Sequence, residues 1–542
     1  MGRHGLSLPG LWAATALAFL SFTPSLLPRG VAYQGLVAGV VAAIGYGLGV
    51  LVTAVVRELG DRAVGVWSPR AWRVWWIWLG VGTVVSLIAG HVWHRQSSAL
   101  VGLEPVSPWA VPLSPVVAVA VFALLLAVGR GLRGITRHTA RWLERRTSAR
   151  AARVISTGAV VVATALVFSG VLLDGIVATV DRSASVGDLL TPDGVTRPTT
   201  PLRSGSPESL VDWDELGREG RVFVGRGPTA EDITALTGEP AEEPVRIFAG
   251  VASAEDERER AELAAADLER AGGFERERLL VVTTTGTGWV EPSVATSFEY
   301  LADGDSAIVG MQYSHLPSPL SYWVDEERAR DAGRALFDAV YARLAAIPAE
   351  DRPELYAFGE SLGSFGGEAA FSGSGDMATR LDGALFVGPP RFNPLYRELL
   401  ASRDPGSPEI EADYRDGETI RFTLDARRPA PPEDAPWSGS HILYFQHASD
   451  PVTWWSPDLI LQRPDWLEEE RGPDVSASMV WIPFVTFGQV SADLALGFGT
   501  PPGTGHIFSG RHAYAWDQVL GTNWPREQLD ALSELTTRRS DP

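Results

Sequence analysis

The sequence predicts a helical membrane bundle of about five spans, followed by an α/β domain with a mostly parallel sheet. Three observations lead there. Apolar and acidic residues occupy different parts of the 542-residue chain. The N-terminal third carries long apolar segments, and the rest alternates strand-like with helix-like segments. The length exceeds one ordinary domain. Hydrophobic residues make up 45% of the chain, yet its formal charge is -20. Residues 1–170 hold 15 arginines against only Glu58, Asp61, Glu104 and Glu144, about +11, which leaves about -31 for the remainder.

Composition excludes several classes. The acidic remainder argues against a nucleic-acid partner, because phosphate binding needs clustered cations. The chain has no cysteine, hence no disulfide framework and no thiolate metal site. Every one of its basic residues is arginine.

The apolar segments run over 8–27, 31–56, 74–93, 109–129 and 154–178. Four of them offer about 20 residues without an internal charge, the length a bilayer core requires. The first is shorter and contains Pro24. It reads as an uncleaved span rather than a signal peptide, since no small-residue cleavage site follows it and further spans do. Arginines set the orientation. Arg57, Arg62, Arg70 and Arg73 lie between the second and third spans, and eight arginines from Arg130 to Arg153 lie between the fourth and fifth. The alternate loops hold only Arg29 and Arg95. The Arg-rich loops therefore face the cytoplasm, and the C-terminal domain is expected outside the cytoplasmic membrane. This assignment stands even if the first segment does not cross. Trp72, Trp75, Trp76, Trp78 and Trp93 read as interfacial anchors, and His91 as an interfacial residue.

The expected domains are a membrane region over 1–182, a linker over 183–220 rich in Ser, Pro, Thr, Gly and Asp, and an α/β domain over 221–542. In the last, strands are expected at 245–250, 279–285, 306–313, 354–361, 382–388 and 441–447, with helices at 255–272 and 325–347. Strands alternating with helices predict a parallel sheet covered on both faces.

The chemistry centres on LYAFGESLGSFGGEAAF, where Gly359, Ser361 and Gly363 form G-x-S-x-G after an apolar strand. A serine on a tight strand-to-helix turn needs small neighbours, because the chain passes close on both sides. Such a serine needs an acid and then a base later in the chain. Asp450 follows the strand HILYFQH, at the strand end where catalytic groups gather in such sheets; Asp493 is a rival. Only His506 and His512 follow Asp450. His506 sits in a Gly-rich loop and is the expected base, while His512 reads as a helix start. His441 and His447 precede the acid and read as structural or pocket-lining. Negative charge developing on the attacked carbonyl needs fixed N–H donors. The backbone of Leu362 is the first expected donor, and the loop Gly286, Thr287 and Gly288 supplies another, its alternative being a plain glycine turn. No motif calls for a cofactor, and the His pairs are six apart rather than four, so no metal is expected.

These segments resemble an actinobacterial α/β-hydrolase family of membrane proteins, with several N-terminal spans before the hydrolase domain. TPSLLPRG (23–30), TTTGTGWVEP (283–292), QYSHLPS (312–318), GESLGS (359–364), GALFVGPP (383–390), QHASDPVTWW (446–455), WIPFVTFGQVSADLA (481–495) and GTGHIFSG (503–510) carry the resemblance. It implies a Ser-Asp-His hydrolase, with Ser361, Asp450 and His506 at the matching positions. Thr504 departs from the second histidine expected in many relatives.

The anchor, Trp454, Trp455 and the apolar stretch 481–498 favour a lipid or other acyl ester as substrate, handled by an esterase, lipase or acyltransferase at the bilayer. The stretch 481–498 reads as an acyl pocket, a lid or core packing. The alternative function is a membrane scaffold or transporter carrying a degenerate hydrolase fold. The near absence of ionisable residues inside the spans speaks against a coupled ion pathway.

Overall fold

A computed structural model describes residues 6–60, 67–166, 184–185, 187–316, 326–432 and 435–540. Arg62 and the second half of the segment 154–178 lie outside them. The chain forms two compact units, Met1–Ile176 with Trp455–Pro501, and Val177–Trp454 with Pro502–Pro542.

The first unit is helical. Helices α2 (Val31–Gly60), α3 (Pro69–Leu100), α4 (Leu113–Leu143) and α5 (Ala149–Leu166) follow a shorter α1 (Leu8–Leu20). Among the described residues, the last four are long and apolar enough to cross a membrane. Against the expected five or so spans, the described residues thus hold four helices of sufficient length and one shorter apolar helix. The 13 residues of α1 rise only about 20 Å at ~1.5 Å each, short of a ~30 Å hydrocarbon core. Instead α1 folds back along α2. Ser7 N donates to the Tyr46 hydroxyl at 3.1 Å, and Gln34 Nε2 to Ser21 O at 3.0 Å, so the two helices run antiparallel. Small residues permit the close approach. A Cβ on Gly49 would meet Pro9 O at 2.6 Å, and one on Gly39 would meet Ala118 O of α4 at 2.8 Å.

The stretch 481–498 belongs to this unit, so the expected 221–542 domain is interrupted. Its helix Val485–Asp493 packs on the loop between α1 and α2. Arg29 Nη1 lies 3.2 Å from Asp493 Oδ1, and the Ser25 hydroxyl and Leu27 N also donate to that carboxylate. Gln489 Nε2 donates to Thr23 O at 2.8 Å. Val485, Val490 and Asp493 are fully buried. Of the readings offered for this stretch, core packing is the one realised at these positions. A carboxylate here survives burial because a guanidinium and two further donors face it.

The second unit is built on seven strands, β1 (Val245–Ala249), β2 (Arg278–Thr283), β3 (Ser306–Met311), β4 (Glu354–Glu360), β5 (Gly383–Val387), β6 (Ile420–Thr423) and β7 (His441–Phe445). They lie in the order β1-β3-β2-β4-β5-β7-β6, every pair parallel. Central strands such as β5 are buried at every position, which is why they read as unbroken apolar runs. The expected helices appear as α6 (Glu257–Arg270) and, within the described residues, α8 (Glu326–Ala345), and between them the structure adds α7 (Pro292–Leu301), which the sequence reading did not include. Strand β6 escaped the sequence reading because Arg421 interrupts it. That side chain is buried, donates to the carbonyls of Gly417, Ala430 and Ala435, and stacks 4.2 Å from the Trp437 ring.

The segment 183–220, expected as a linker, packs where it is described. Ser204 and Val211 are fully buried, Ser204 Oγ donates to Asp267 Oδ2 of α6 at 2.7 Å, and the backbone at Arg203 pairs in parallel with that of Arg246 in β1. Its polar composition hid this, because the buried groups are satisfied by specific partners rather than by an apolar face.

Candidate active site

Strand β4 ends at Glu360, and α9 (Leu362–Glu368) begins two residues later. Ser361 forms the corner between them with φ 53° and ψ -124°, a conformation costing a non-glycine residue roughly 1–3 kcal/mol. The surroundings hold it there. Ser361 N donates to Val387 O at the end of β5 at 2.9 Å, while Ser364 N and Oγ both donate to Ser361 O, at 3.0 and 2.6 Å. Bulk is excluded at both motif glycines. A Cβ on Gly359 would meet Gly363 O at 2.5 Å, and one on Gly363 would press on the Thr283 carbonyl of β2.

Beneath this corner lies a polar network that sequence reading missed. Asn393 Nδ2 donates to Ser364 Oγ and to Glu368 Oε1, each at 3.0 Å. Tyr396 N and the Tyr444 hydroxyl also donate to the Glu368 carboxylate. Burial pushes Glu368 up to about 7, against the pull of these donors. Nothing in the pattern GGEAAF signals a buried acid, since the partners come from distant segments.

Asp450 and His506 meet. Asp450 Oδ2 lies 2.7 Å from His506 Nδ1, and both side chains are buried. The carboxylate is fixed by Val452 N at 2.8 Å and Thr453 Oγ1 at 3.1 Å. Gly505 N donates to Ser449 Oγ at 2.8 Å, and Gly505 O accepts from His447 Nδ1 at 2.9 Å, so the loop before His506 is tied down. Burial by itself depresses the His506 imidazolium. The Asp450 charge and hydrogen bond, with Glu360 adding, overcome this and hold it above the ordinary histidine value. The ring sits over Gly388, whose φ is +52° and where a Cβ would come within 2.6 Å of His506 Cε1. Gly388 follows Val387, the residue that accepts the Ser361 N–H. Serine and imidazole thus lean on two adjacent residues at the end of β5.

The rivals are elsewhere. Asp493 pairs with Arg29 in the membrane unit. His512 opens α10 (His512–Leu520) with Nδ1 2.6 Å from Ser293 Oγ and Nε2 3.5 Å from Glu360 Oε2. His441 bonds Val519 O at 2.9 Å, and His447 stacks on Phe508 with centroids 4.2 Å apart.

The donor loop is corrected in part. Gly288 N donates to Thr285 O at 2.9 Å, closing a turn with φ +83° at Gly288. Its N–H is therefore consumed within the loop, as the plain-turn alternative had it. Gly286 and Thr287 direct no N–H to a partner among the described residues. Leu362 is the first residue of α9, where an N–H has no intrahelical acceptor.

Two family models match the chain. One, described as the alpha/beta-hydrolase family, covers residues 245–532. The other, described as the N-terminus of that family, covers residues 22–228. No curated protein and no solved structure matches it. With the strand-to-helix serine corner and the parallel sheet in place, the match over more than half its length shows that the chain belongs to the alpha/beta-hydrolase family.

Proposed function

We propose that the protein is a membrane-anchored serine hydrolase that works outside the cytoplasmic membrane on a lipid or cell-envelope ester. The observation that carries this reading is the 2.7 Å Asp450–His506 pair, set against the strand end that also fixes the strained Ser361 corner. In the proposed cycle Ser361 Oγ attacks the ester carbonyl while His506 Nε2 takes its proton. Asp450 keeps Nδ1–H oriented and stabilises the imidazolium. The N–H of Leu362, with Gly286 or Thr287, receives the oxyanion. His506 then gives its proton to the departing alcohol, leaving an acyl-serine. Water or a second alcohol attacks that ester with His506 again as base, which releases acid or transfers the acyl group.

The arginine-rich ends of α2 to α5 support the orientation. Arg57, Arg130, Arg133, Arg137 and Arg141 gather on the side proposed as cytoplasmic, and four crossings rather than five leave this unchanged. A fluorophosphonate probe tests the chemistry. Wild type is expected to label and Ser361→Ala to lose the label; a folded wild type that takes no probe overturns the reading. Protease digestion of intact spheroplasts tests the orientation, since an extracytoplasmic domain is cleaved there and a cytoplasmic one is protected.

A further inference from the structure

The membrane unit contains two clefts that the hydrolase chemistry does not use. One, a niche of about 50 Å³, is lined by Arg29, Gln34, His91, His94, Ser97 and Ser114 among others. The second, of about 310 Å³, is lined almost wholly by apolar groups, including Leu11, Ala38, Ala42, Trp75, Leu79 and Phe122. The apolar cleft reaches the lower end of the range of ligand sites, roughly 300–1,000 Å³. Phe22 lines both.

The two clefts follow one another along the same helices. On α3 the lining positions step through Trp75, Leu79, Thr83 and Ser86 in the apolar cleft, then Gly90, His94 and Ser97 in the polar one. Steps of three and four residues keep these on one helix face. On α2, Gln34 lines the polar cleft and Ala38 and Ala42 the apolar one; on α4, Ser114 is followed by Ala118 and Phe122. The apolar part is chemically dry. Thr15 and Thr83 return their hydroxyl protons to Leu11 O at 2.9 Å and Leu79 O at 2.7 Å, on their own helices. From Trp75 to Ser86 the cleft runs about 17 Å at ~1.5 Å per residue, and His91 lies about 8 Å beyond Ser86 on the same helix.

The polar end offers donors. Val106 N donates to His94 Nε2 at 3.0 Å, so a neutral His94 carries its proton on Nδ1. His91 Nδ1 is buried without a hydrogen-bond partner among the described residues. The guanidinium of Arg29 is held in the wall by Asp493 and Gln34. A head with acceptor oxygens and an acyl tail fit this gradient.

We propose that this unit holds one membrane phospholipid, its headgroup oxygens at His91, His94 and Arg29 and an acyl chain between α1, α2, α3 and α4. The site does not depend on the serine chemistry. The full chain, reconstituted in phosphatidylethanolamine–phosphatidylglycerol vesicles, is exposed to phosphatidylglycerol bearing a diazirine at the acyl terminus, and the adducts are mapped by mass spectrometry. Adducts are expected on Trp75, Leu79 and Phe122. Ala42→Phe or Ala118→Phe fills the cleft and is expected to cut them about tenfold, the loss of roughly two buried methylenes. Adducts on the exposed Val81, Val85 and Ile88 are expected to persist. Lining adducts equal in variant and wild type overturn the site. Should neither variant fold, wild type alone decides: adducts on Trp75 and Leu79 support the site, and adducts confined to Val81, Val85 and Ile88 overturn it.

Discussion

Replacing Glu368 by glutamine tests whether the buried acid under the serine corner controls stability. Burial raises its carboxyl from the ordinary 4.5 to about 7. The native state therefore holds this proton longer than the unfolded chain does. Between pH 4.5 and about 7 it binds more protons than the unfolded state, so stability falls as pH rises through that window and levels off above it. A shift of that size corresponds to about 3 kcal/mol at ~1.4 kcal/mol per unit. Glutamine cannot ionise, so the fall disappears at this position. Its Oε1 keeps the bonds from Asn393 and Tyr444, but its amide group then faces Tyr396 N–H, donor against donor. That mismatch costs about 1 kcal/mol. At pH 5 the wild type has already lost about 1 kcal/mol of this stability, so the variant should be close to it there, and at pH 8 more stable than it by about 2 kcal/mol. For a unit of this size the expected change in melting temperature is near zero at pH 5 and about +4 °C at pH 8. Tryptophan fluorescence melts of the detergent-solubilised chain measure both. An equal difference at the two pH values refutes the argument.

Further outcomes concern the same two units. Asp450→Asn leaves His506 without its charge partner and free to take the wrong tautomer, so fluorophosphonate labelling should slow by about 10⁴. In wild type that labelling should rise with pH through a His506 value above the ordinary one, since the base acts only when neutral. The rate-against-pH limb is the measurement. Gly359→Ala brings a Cβ within 2.5 Å of Gly363 O and 2.7 Å of Ser364 Cα; it should abolish labelling while α1 to α5 still insert, as membrane fractionation reports. Asp493→Asn leaves the Arg29 guanidinium buried without a counter-charge and should destabilise the membrane unit by about 3–5 kcal/mol, visible as a lower melting temperature, whereas the paired change Arg29→Met with Asp493→Leu should recover most of it.

Much of the fold was legible because its signals are local. Strands β2 to β5 and β7 are mostly apolar runs, β1 is one broken only by Arg246, and α6 and α8 show their period and their glycine or proline stops. The four helices long enough to cross a membrane declare themselves by length and lack of charge. Strand β6 was hidden by Arg421, whose partners are carbonyls brought in by the fold. The length of α1 was misjudged because apolar composition continues through Thr23 and Pro24 after the helix has ended at Leu20.

For the candidate site, the sequence by itself determined the serine, through the glycines its corner demands, and the order in which an acid and a base must follow. It offered two acids and two bases. Only the tertiary structure decided which partner each one meets, drawing Asp450 to His506, Asp493 to Arg29, and His512 to Ser293 and Glu360. It also assigned 455–501 to the membrane unit and exposed the network around Glu368. The reason is physical. A turn or an apolar run is specified by neighbouring residues, whereas a buried carboxylate is specified in large part by distant partners: Asn393 and Tyr396 for Glu368, His506 for Asp450 and Arg29 for Asp493 each lie at least 25 residues away.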